Sequence, residues 1–420
     1  MVKLDMSTSW SWLEDNVNMT FISLQPTNYS SQPFIGGSLF GSSSNTSSLY
    51  LFGGGPAASN LPNESMDSQQ IRENIWSFSL TNNKWSRSEL TNGPEYVPRH
   101  GAYVEAKNRA FYLHGILGND PNIYPNPNMT VIDIVNKSIR SVSTAQLSTS
   151  ESRSGAVLQF IPELGEDGAL ILLGGELKSL GNPVSNELNK MASLETVHIL
   201  DIASLENGEG VWYQQKTSGR TPPGRADFCA ATISSPDKTN FHIYVFAGRS
   251  NTQTFDDLWV LSLPQFHWTK NWIMSYDFKV YNGAKPNFGS TCHLVGSKQM
   301  LVLGGMETRL SGSCTKTKAA FFDLTNLKWT QAFVKDGPPY RVPKAVWEWI
   351  NGTLICLLSA FGEAYMTGPK EGFSSEGLTK MFADIPIARQ RNSAIAFLGY
   401  TSRSRMVTAM LVAIFLDIWV

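Results

Sequence analysis

The feature that most constrains this chain is a run of apolar residues ending in glycine, written several times over. It reads LYLFGGG at 49–55, ALILLGGE at 169–176 and MLVLGGM at 300–306. Aligned on the closing glycine, the run recurs at Gly54, Gly115 (AFYLHG), Gly175, Gly248 (HIYVFAG) and Gly305, in steps of 61, 60, 73 and 57 residues. Near-regular spacing of this kind is the sequence signature of a repeat architecture.

Each run has companions. Upstream lies a second apolar patch opened by a polar or small residue: GGSLFG (36–41), PRHGAYVEA (98–106), SRSGAVLQF (152–160), GRADFCAATI (224–233) and FGSTCHLVG (288–296). Downstream come a third patch, a turn and an aromatic: NIWSFSLTNNKWS (74–86), LETVHILDIASLENGEGVWYQQ (194–215), DDLWVLSLPQFHWTK (256–270) and KAAFFDLTNLKWTQ (318–331). The second unit, MTVIDIVNKSIRS (129–141), carries Ile139 where the others have Trp or Tyr. Each unit therefore predicts four short strands separated by turn residues.

The physics of the pattern is architectural. Gly53, Gly54, Gly174, Gly175, Gly304 and Gly305, with the single Gly115 and Gly248, let the chain leave a strand at positive φ and let another backbone approach. Trp85, Trp212, Trp268 and Trp329 begin or lie in the fourth strand. There a large ring fills the wedge between neighbouring sheets, worth very roughly 2–3 kcal/mol when buried. One four-stranded sheet cannot cover both its faces, so it stacks on copies of itself, and radial repetition protects the edges. The fold class predicted is all-β.

At these residues the chain resembles kelch-repeat β-propellers: a glycine pair after the second strand, then an aromatic and a Trp separated by a short turn. LYLFGGG…IWSFSLTNNKW and LVLGGM…FFDLTNLKW carry the resemblance best, and it covers about residues 36–331. A narrower resemblance, through LDMSTSWSW (4–12), RADFCAA (225–231) and FGSTCHLVG, together with YRVPKAVWEWI…GEAYMTGPKEGF, is to fungal kelch-repeat, cell-wall-anchored-like surface proteins. That resemblance implies an extracellular propeller with a signal peptide, a transmembrane helix and a low-complexity tail. The expected architecture has six blades: a partial first blade in 1–24, then blades at about 36–86, 98–141, 152–215, 224–270 and 288–331. An irregular tail follows over 332–420.

Both ends depart from that plan. MVKLDMSTSW contains no apolar core of a secretory signal, and LDMSTSWSW reads as the third strand and turn of a blade. The segment 406–420, MVTAMLVAIFLDIWV, contains Asp417 and is shorter than the roughly 20 residues a spanning helix needs. A truncated anchor, a misread exon and a buried strand are all open for it. TLICLLSAF (353–361) interrupts the family-like stretch and is a candidate unspliced insert. Membrane attachment is expected only through a segment missing or truncated here.

Composition bears on partners. Lys and Arg total 34 against 35 Asp and Glu, charged residues are 16% of the chain, and no polybasic tract stands out, so no nucleic-acid footprint is written. Seven N-x-S/T sequons begin at Asn18, Asn28, Asn45, Asn63, Asn128, Asn136 and Asn351, whereas Pro127 disqualifies Asn126. They agree with an extracellular or cell-surface location; a cytoplasmic one is the alternative. Of the four cysteines, Cys229 and Cys292 occupy the same place in successive first strands, which predicts side-by-side burial. A Cys292–Cys314 bridge, closing a separation of 22 residues, is the disulfide expected in an oxidising compartment.

Catalysis and cofactors are not expected. Some kelch propellers resemble galactose oxidase, a copper enzyme whose site needs converging His and Tyr ligands. Here His100, His114, His198, His242, His267 and His293 fall at unlike strand positions. One set invites a binding role: Arg99, Arg153 and Arg225 stand just before the first strand of three consecutive units. In a closed ring they form an arc at one channel mouth, able to hold an anionic or carbonyl-bearing ligand. The alternative is that each braces the neighbouring blade's loop through backbone carbonyls. The function expected is a non-catalytic recognition scaffold binding protein or glycan. An intracellular kelch adaptor organising a signalling or polarity complex is the alternative, and a copper oxidase a remote one.

Overall fold

The computed structural model of the chain describes residues 2–11, 19–21, 34–41, 48–56, 74–89, 98–119, 122–181, 190–270, 287–306, 319–351, 368–383, 385 and 411–413. Alternating and apolar runs become antiparallel strands, grouped as the repeats dictate. Blade 1 contains Phe34–Gly41, Ser48–Pro56, Asn74–Ser79 and Lys84–Glu89. Blade 2 contains Ala102–Ala106, Arg109–Leu113, Asn128–Asp133 and Ser138–Ser143. Blade 3 contains Val157–Ile161, Ala169–Leu173, Thr196–Asp201 and Val211–Lys216. Blade 4 contains Cys229–Ser234, Phe241–Phe246, Leu258–Leu263 and His267–Lys270, with Ser218–Gly219 pairing parallel on its outer edge. Blade 5 contains Thr291–Val295, Gln299–Leu303, Ala319–Asp323 and Lys328–Thr330. In every blade the strands lie side by side in chain order, and the first strands of successive blades adjoin. The result is an all-β propeller of five full blades.

The sixth sheet is built from both ends of the sequence. Val2–Leu4 pairs antiparallel with Met19–Phe21 on one side and with Leu411–Ala413 on the other. Of the three readings open for 406–420, a strand is what the described residues within it form. The sequence 332–420 is also more regular than expected. Ala332–Phe333 pairs with Trp10–Ser11, and two helices follow, α1 (Lys344–Asn351) and α2 (Glu376–Ala383). Residues 353–361 lie outside the described residues. Among the described residues no helix is long and apolar enough to cross a membrane.

Core packing is strongest between blades 3 and 4, where Ile171, Ile199, Phe241, Ile243, Trp259, Leu261 and Trp268 form one buried cluster. Trp268 reaches across the wedge, its indole N–H donating to the Leu194 carbonyl at 3.1 Å. Trp212 is buried as well, but Trp85 and Trp329 are only half-buried. Trp85 packs on Phe78 of its own sheet, with the ring centres 5.1 Å apart. Trp329 does bridge two blades, stacking edge-on against Phe322 and Phe246 at 5.0 Å each.

The disulfide differs from the bridge expected. Cys292 pairs with Cys229, not with Cys314, which lies outside the described residues. The reason is radial geometry: both residues sit on first strands of adjacent blades, where those strands converge, and their Cα atoms are 5.3 Å apart.

The tail covers the propeller at the end where strands one and two, and strands three and four, are joined. Ser297 donates to the Gly337 and Pro338 carbonyls, and Tyr340 meets the Tyr244 hydroxyl at 3.0 Å. Val346 of α1 joins the blade 4–5 core, while Phe373 and α2 residues Leu378, Met381 and Phe382 pack on the blade 3–4 core around Phe266. The opposite end keeps its loops uncovered by these elements.

Candidate functional site at the channel mouth

The uncovered end is framed by a course of backbone hydrogen bonds. At or just before its first strand, each blade places one residue at positive φ: Gly36, within the strand of blade 1, and His100, Gly155, Asp227 and Gly289, before those of the others. The His100 N–H donates to Gly36 O (3.0 Å), Gly155 N–H to His100 O (2.9 Å), Asp227 N–H to Gly155 O (2.8 Å) and Gly289 N–H to Asp227 O (2.7 Å). Five blades are thereby stitched edge to edge around the channel. A second course comes from the glycines that end the second strands. The N–H groups of Gly54, Gly115, Gly175 and Gly248 donate to the carbonyls of Pro98, Arg153, Arg225 and Asn287 in the next blade. At Gly174 and Gly175 the need for glycine is explicit. A Cβ on Gly174 would lie 2.7 Å from the Arg225 carbonyl, and one on Gly175 would lie 2.7 Å from the Ala156 Cβ. All eight glycines singled out from the sequence have positive φ.

The three arginines do not form one arc of free cations. Arg225 is fully buried, forks onto Asp257 at 2.6 and 3.3 Å, donates to the Ala247 carbonyl at 3.0 Å and lies 4.0 Å from the Phe255 ring centre. Arg153 donates to the Gly174 carbonyl at 3.1 Å and meets His198 Nδ1 at 3.2 Å; burial pulls its guanidinium down to about 10. The carbonyls they brace belong to their own blades, not to the neighbouring blade. Arg99 is different: it is half-buried, and its Nε has no hydrogen-bond partner among the described residues.

The histidines near the mouth divide likewise. The Arg153 N–H donates to His114 Nδ1, and Thr144 donates onward to the Pro127 carbonyl, so His114 carries its proton on Nε2, toward Thr144. Burial, then the charge of Arg153, lower His114 and His198 to about 3 each. His100 is exposed at the rim, and its titration is lowered by desolvation and by the Arg99 and Arg249 charges, against an opposing pull from Asp227.

Sequence reasoning missed Arg249. It joins Asp227 (2.7 Å) of its own blade to Glu176 (3.2 Å) of blade 3, and Glu176 in turn holds Lys178 (3.0 Å). Burial would raise Glu176, but the bond to Lys178 and the two cationic charges hold it below the usual carboxylate range. The Arg249 guanidinium also lies 5.9 Å from the Phe288 ring centre of blade 5. Only the small FAGRS context after the second-strand glycine could have marked it. Below the rim the first strands carry Tyr103, Gln159, Thr232 and His293, of which Tyr103 is exposed and the other three are half-buried. Thr232 donates to Gln159 Oε1 at 2.9 Å, tying blade 4 to blade 3. Tyr103 is 39% exposed, and the desolvation around it raises its hydroxyl. The arrangement offers hydrogen-bond donors, a cation and aromatic edges on a rigid frame. Among the described residues no group of three or more His, Cys, Asp or Glu is placed to hold a metal ion.

Of the sequons, Asn128 and Asn136 have described side chains, the first half-buried and the second exposed. Asn18, Asn28, Asn45 and Asn63 lie outside the described residues, and Asn351 ends α1.

Comparison with known proteins agrees with the geometry. Residues 166–366 match the family model described as the KLHDC2/KLHL20/DRC7 Kelch-repeats domain. The chain is also 29% identical over 186 residues to a "Kelch repeat-containing protein" of Arthroderma benhamiae, a match covering 43% of this chain and 25% of that relative. The chain thus spans about a quarter of the length of the curated relative it matches. The described residues form a β-propeller, and residues 166–366 are similar to a kelch-repeat family whose propellers usually serve as scaffolds for protein interaction.

Proposed function

We propose that this chain is a non-catalytic recognition scaffold, displayed at the fungal cell surface, that engages a protein or glycan at the channel mouth. The observation that carries this reading is the asymmetry of its two ends. The mouth is framed by the backbone course through Gly36, His100, Gly155, Asp227 and Gly289 and the described tail residues leave it uncovered, whereas the other end of blades 3–5 is occupied by the tail. Rigid framing lowers the ordering entropy that a binding surface must otherwise lose. A fungal setting is supported by the fungal relative, and surface display by the Cys229–Cys292 bridge, since disulfides persist in oxidising compartments, and by the sequons.

Labelling of intact cells of the native host with a membrane-impermeant amine reagent tests the location. Labelling comparable to that of a known wall protein is the expected result. Labelling only after lysis would overturn surface display and leave an intracellular kelch adaptor as the better reading.

A further inference from the structure

We propose that Asn136 is an N-glycan acceptor, and that Asn128, although it opens an equally good sequon, is not. This rests on the surface reading for its setting in the native cell. The choice between the two sites rests on geometry alone.

Asn136 sits at the tip of the turn joining the third and fourth strands of blade 2. Val135, Asn136 and Lys137 are all exposed. The turn is held without using the outer side of the asparagine. Asp133 Oδ1 accepts the N–H groups of Val135 (2.9 Å) and Asn136 (2.8 Å), and Asp133 Oδ2 accepts one Asn136 Nδ2–H at 2.8 Å. Lys137 takes positive φ, and Ser138, the sequon hydroxyl, begins the fourth strand. The Asn136 amide has two N–H bonds and Asp133 engages one, so the other is available for substitution.

In the transfer, that nitrogen attacks the anomeric carbon of a lipid-pyrophosphate-linked oligosaccharide. The C1–O bond to pyrophosphate breaks, the lipid pyrophosphate leaves with the bonding pair, an N-glycosidic bond forms and the displaced amide proton is lost to base. The product is a secondary amide that keeps one N–H, so the bond to Asp133 and the turn survive.

Asn128 has no comparable freedom. It is the first residue of a third strand, its N–H donates to Asn126 Oδ1 (3.1 Å) and its carbonyl accepts the His114 N–H (3.0 Å). Its sequon hydroxyl, Thr130, is buried within the sheet. A glycan at Asn128 would have to emerge among buried Asn126, His114 and Thr144. The equivalent turn in blade 5, built the same way by Asp323 on Thr325 and Asn326, reads Asn326-Leu327-Lys328 and is no sequon. Asn136 also lies at the end of the propeller away from the mouth, so a glycan there leaves the recognition face clear.

The test is glycopeptide mapping of the full chain secreted from a eukaryotic host behind a cleavable leader, with enzymatic deglycosylation in isotopically heavy water to mark occupied asparagines. Asn136 should be occupied in most molecules and Asn128 in almost none. Asn136→Gln and Ser138→Ala should each remove one glycan's mobility shift, and Ser138→Thr should keep it. Secreted protein bare at Asn136, or occupied at Asn128, would overturn the assignment. If the leader-directed protein carries the Asn136 glycan and protein from the native host carries none, the site assignment stands and the surface reading falls.

Discussion

Replacing Arg225 separates a structural arginine from a ligand-binding one. Its guanidinium is 0% exposed, makes two bonds to Asp257 and donates to the carbonyls of Ala247 and Pro223. Truncation in Arg225→Ala removes all of these and the contact with Phe255, and it leaves the Asp257 carboxylate, 17% exposed, with the Trp259 indole N–H still donating at 2.6 Å. Breaking a buried pair by removing one partner costs about 3–5 kcal/mol, and the void adds to that. Arg225→Lys keeps the charge but cannot fork, so it should recover roughly half of the loss. Asp257 is held below the usual carboxylate range by Arg225 against its burial, so the parent loses this contribution as pH falls, whereas in the alanine variant burial alone raises Asp257 and the gap between the two proteins should narrow toward pH 4. Urea unfolding followed by tryptophan fluorescence gives the midpoint and slope for each variant. An Arg225→Ala midpoint within about 0.5 kcal/mol of the parent would refute the bracing argument and return Arg225 to the arc of ligand-binding candidates.

Other outcomes follow from the same packing. Trp268→Ala should destabilise by about 3–5 kcal/mol, whereas half-exposed Trp85→Ala should lose clearly less, read by the same unfolding curves. Cys229→Ser should lower stability by about 4 kcal/mol under non-reducing conditions, because the bridge closes a separation of 63 residues. Non-reducing peptide mapping should recover Cys229 linked to Cys292. His114, His198 and His242 are each lowered by burial to about 3 from an ordinary value near 6.5. Their contribution is therefore complete above about pH 6.5 and is lost as pH falls, by up to about 1.4 kcal/mol per pH unit for each. A flat stability profile between pH 6.5 and 4 would contradict their neutral burial.

Much of the fold was legible because a blade is a local object. Its strands, turns and closing glycines follow one another in sequence, as in the sheets that run from Val157 to Lys216 and from Cys229 to Lys270, so period and turn chemistry display it directly. What escaped depends on which blades stand side by side and at what distance. The sequence put Cys229 and Cys292 at one repeat position, but only the convergence of inner strands makes that position close enough for a bond. Arg225 could be seen before its strand, whereas its partner Asp257, 32 residues on, is one of many carboxylates until the sheet folds. Arg249 was missed because its role arises from Asp227 and Glu176 in two different blades. α1 and α2, eight residues each, are shorter than an isolated helix needs, so their stability comes from the blade cores they cover.

The central claim, that the framed channel mouth is the recognition face, is tested most directly by one comparison of binding. The secreted full chain would be presented to fungal wall glycans and to intact cells of the native host, alongside two variants. One is the mouth-face pair Arg99→Ala and Tyr124→Ala, the tyrosine being exposed in the hairpin of Ile116–Asn119 with Asn122–Pro125 beyond the second strand of blade 2; the other is Val135→Ala, exposed at the opposite end. Retention of the parent and of Val135→Ala, with at least tenfold weaker retention of the mouth-face pair at unchanged stability, is the predicted result. Equal retention of all three, or loss confined to Val135→Ala, would contradict it.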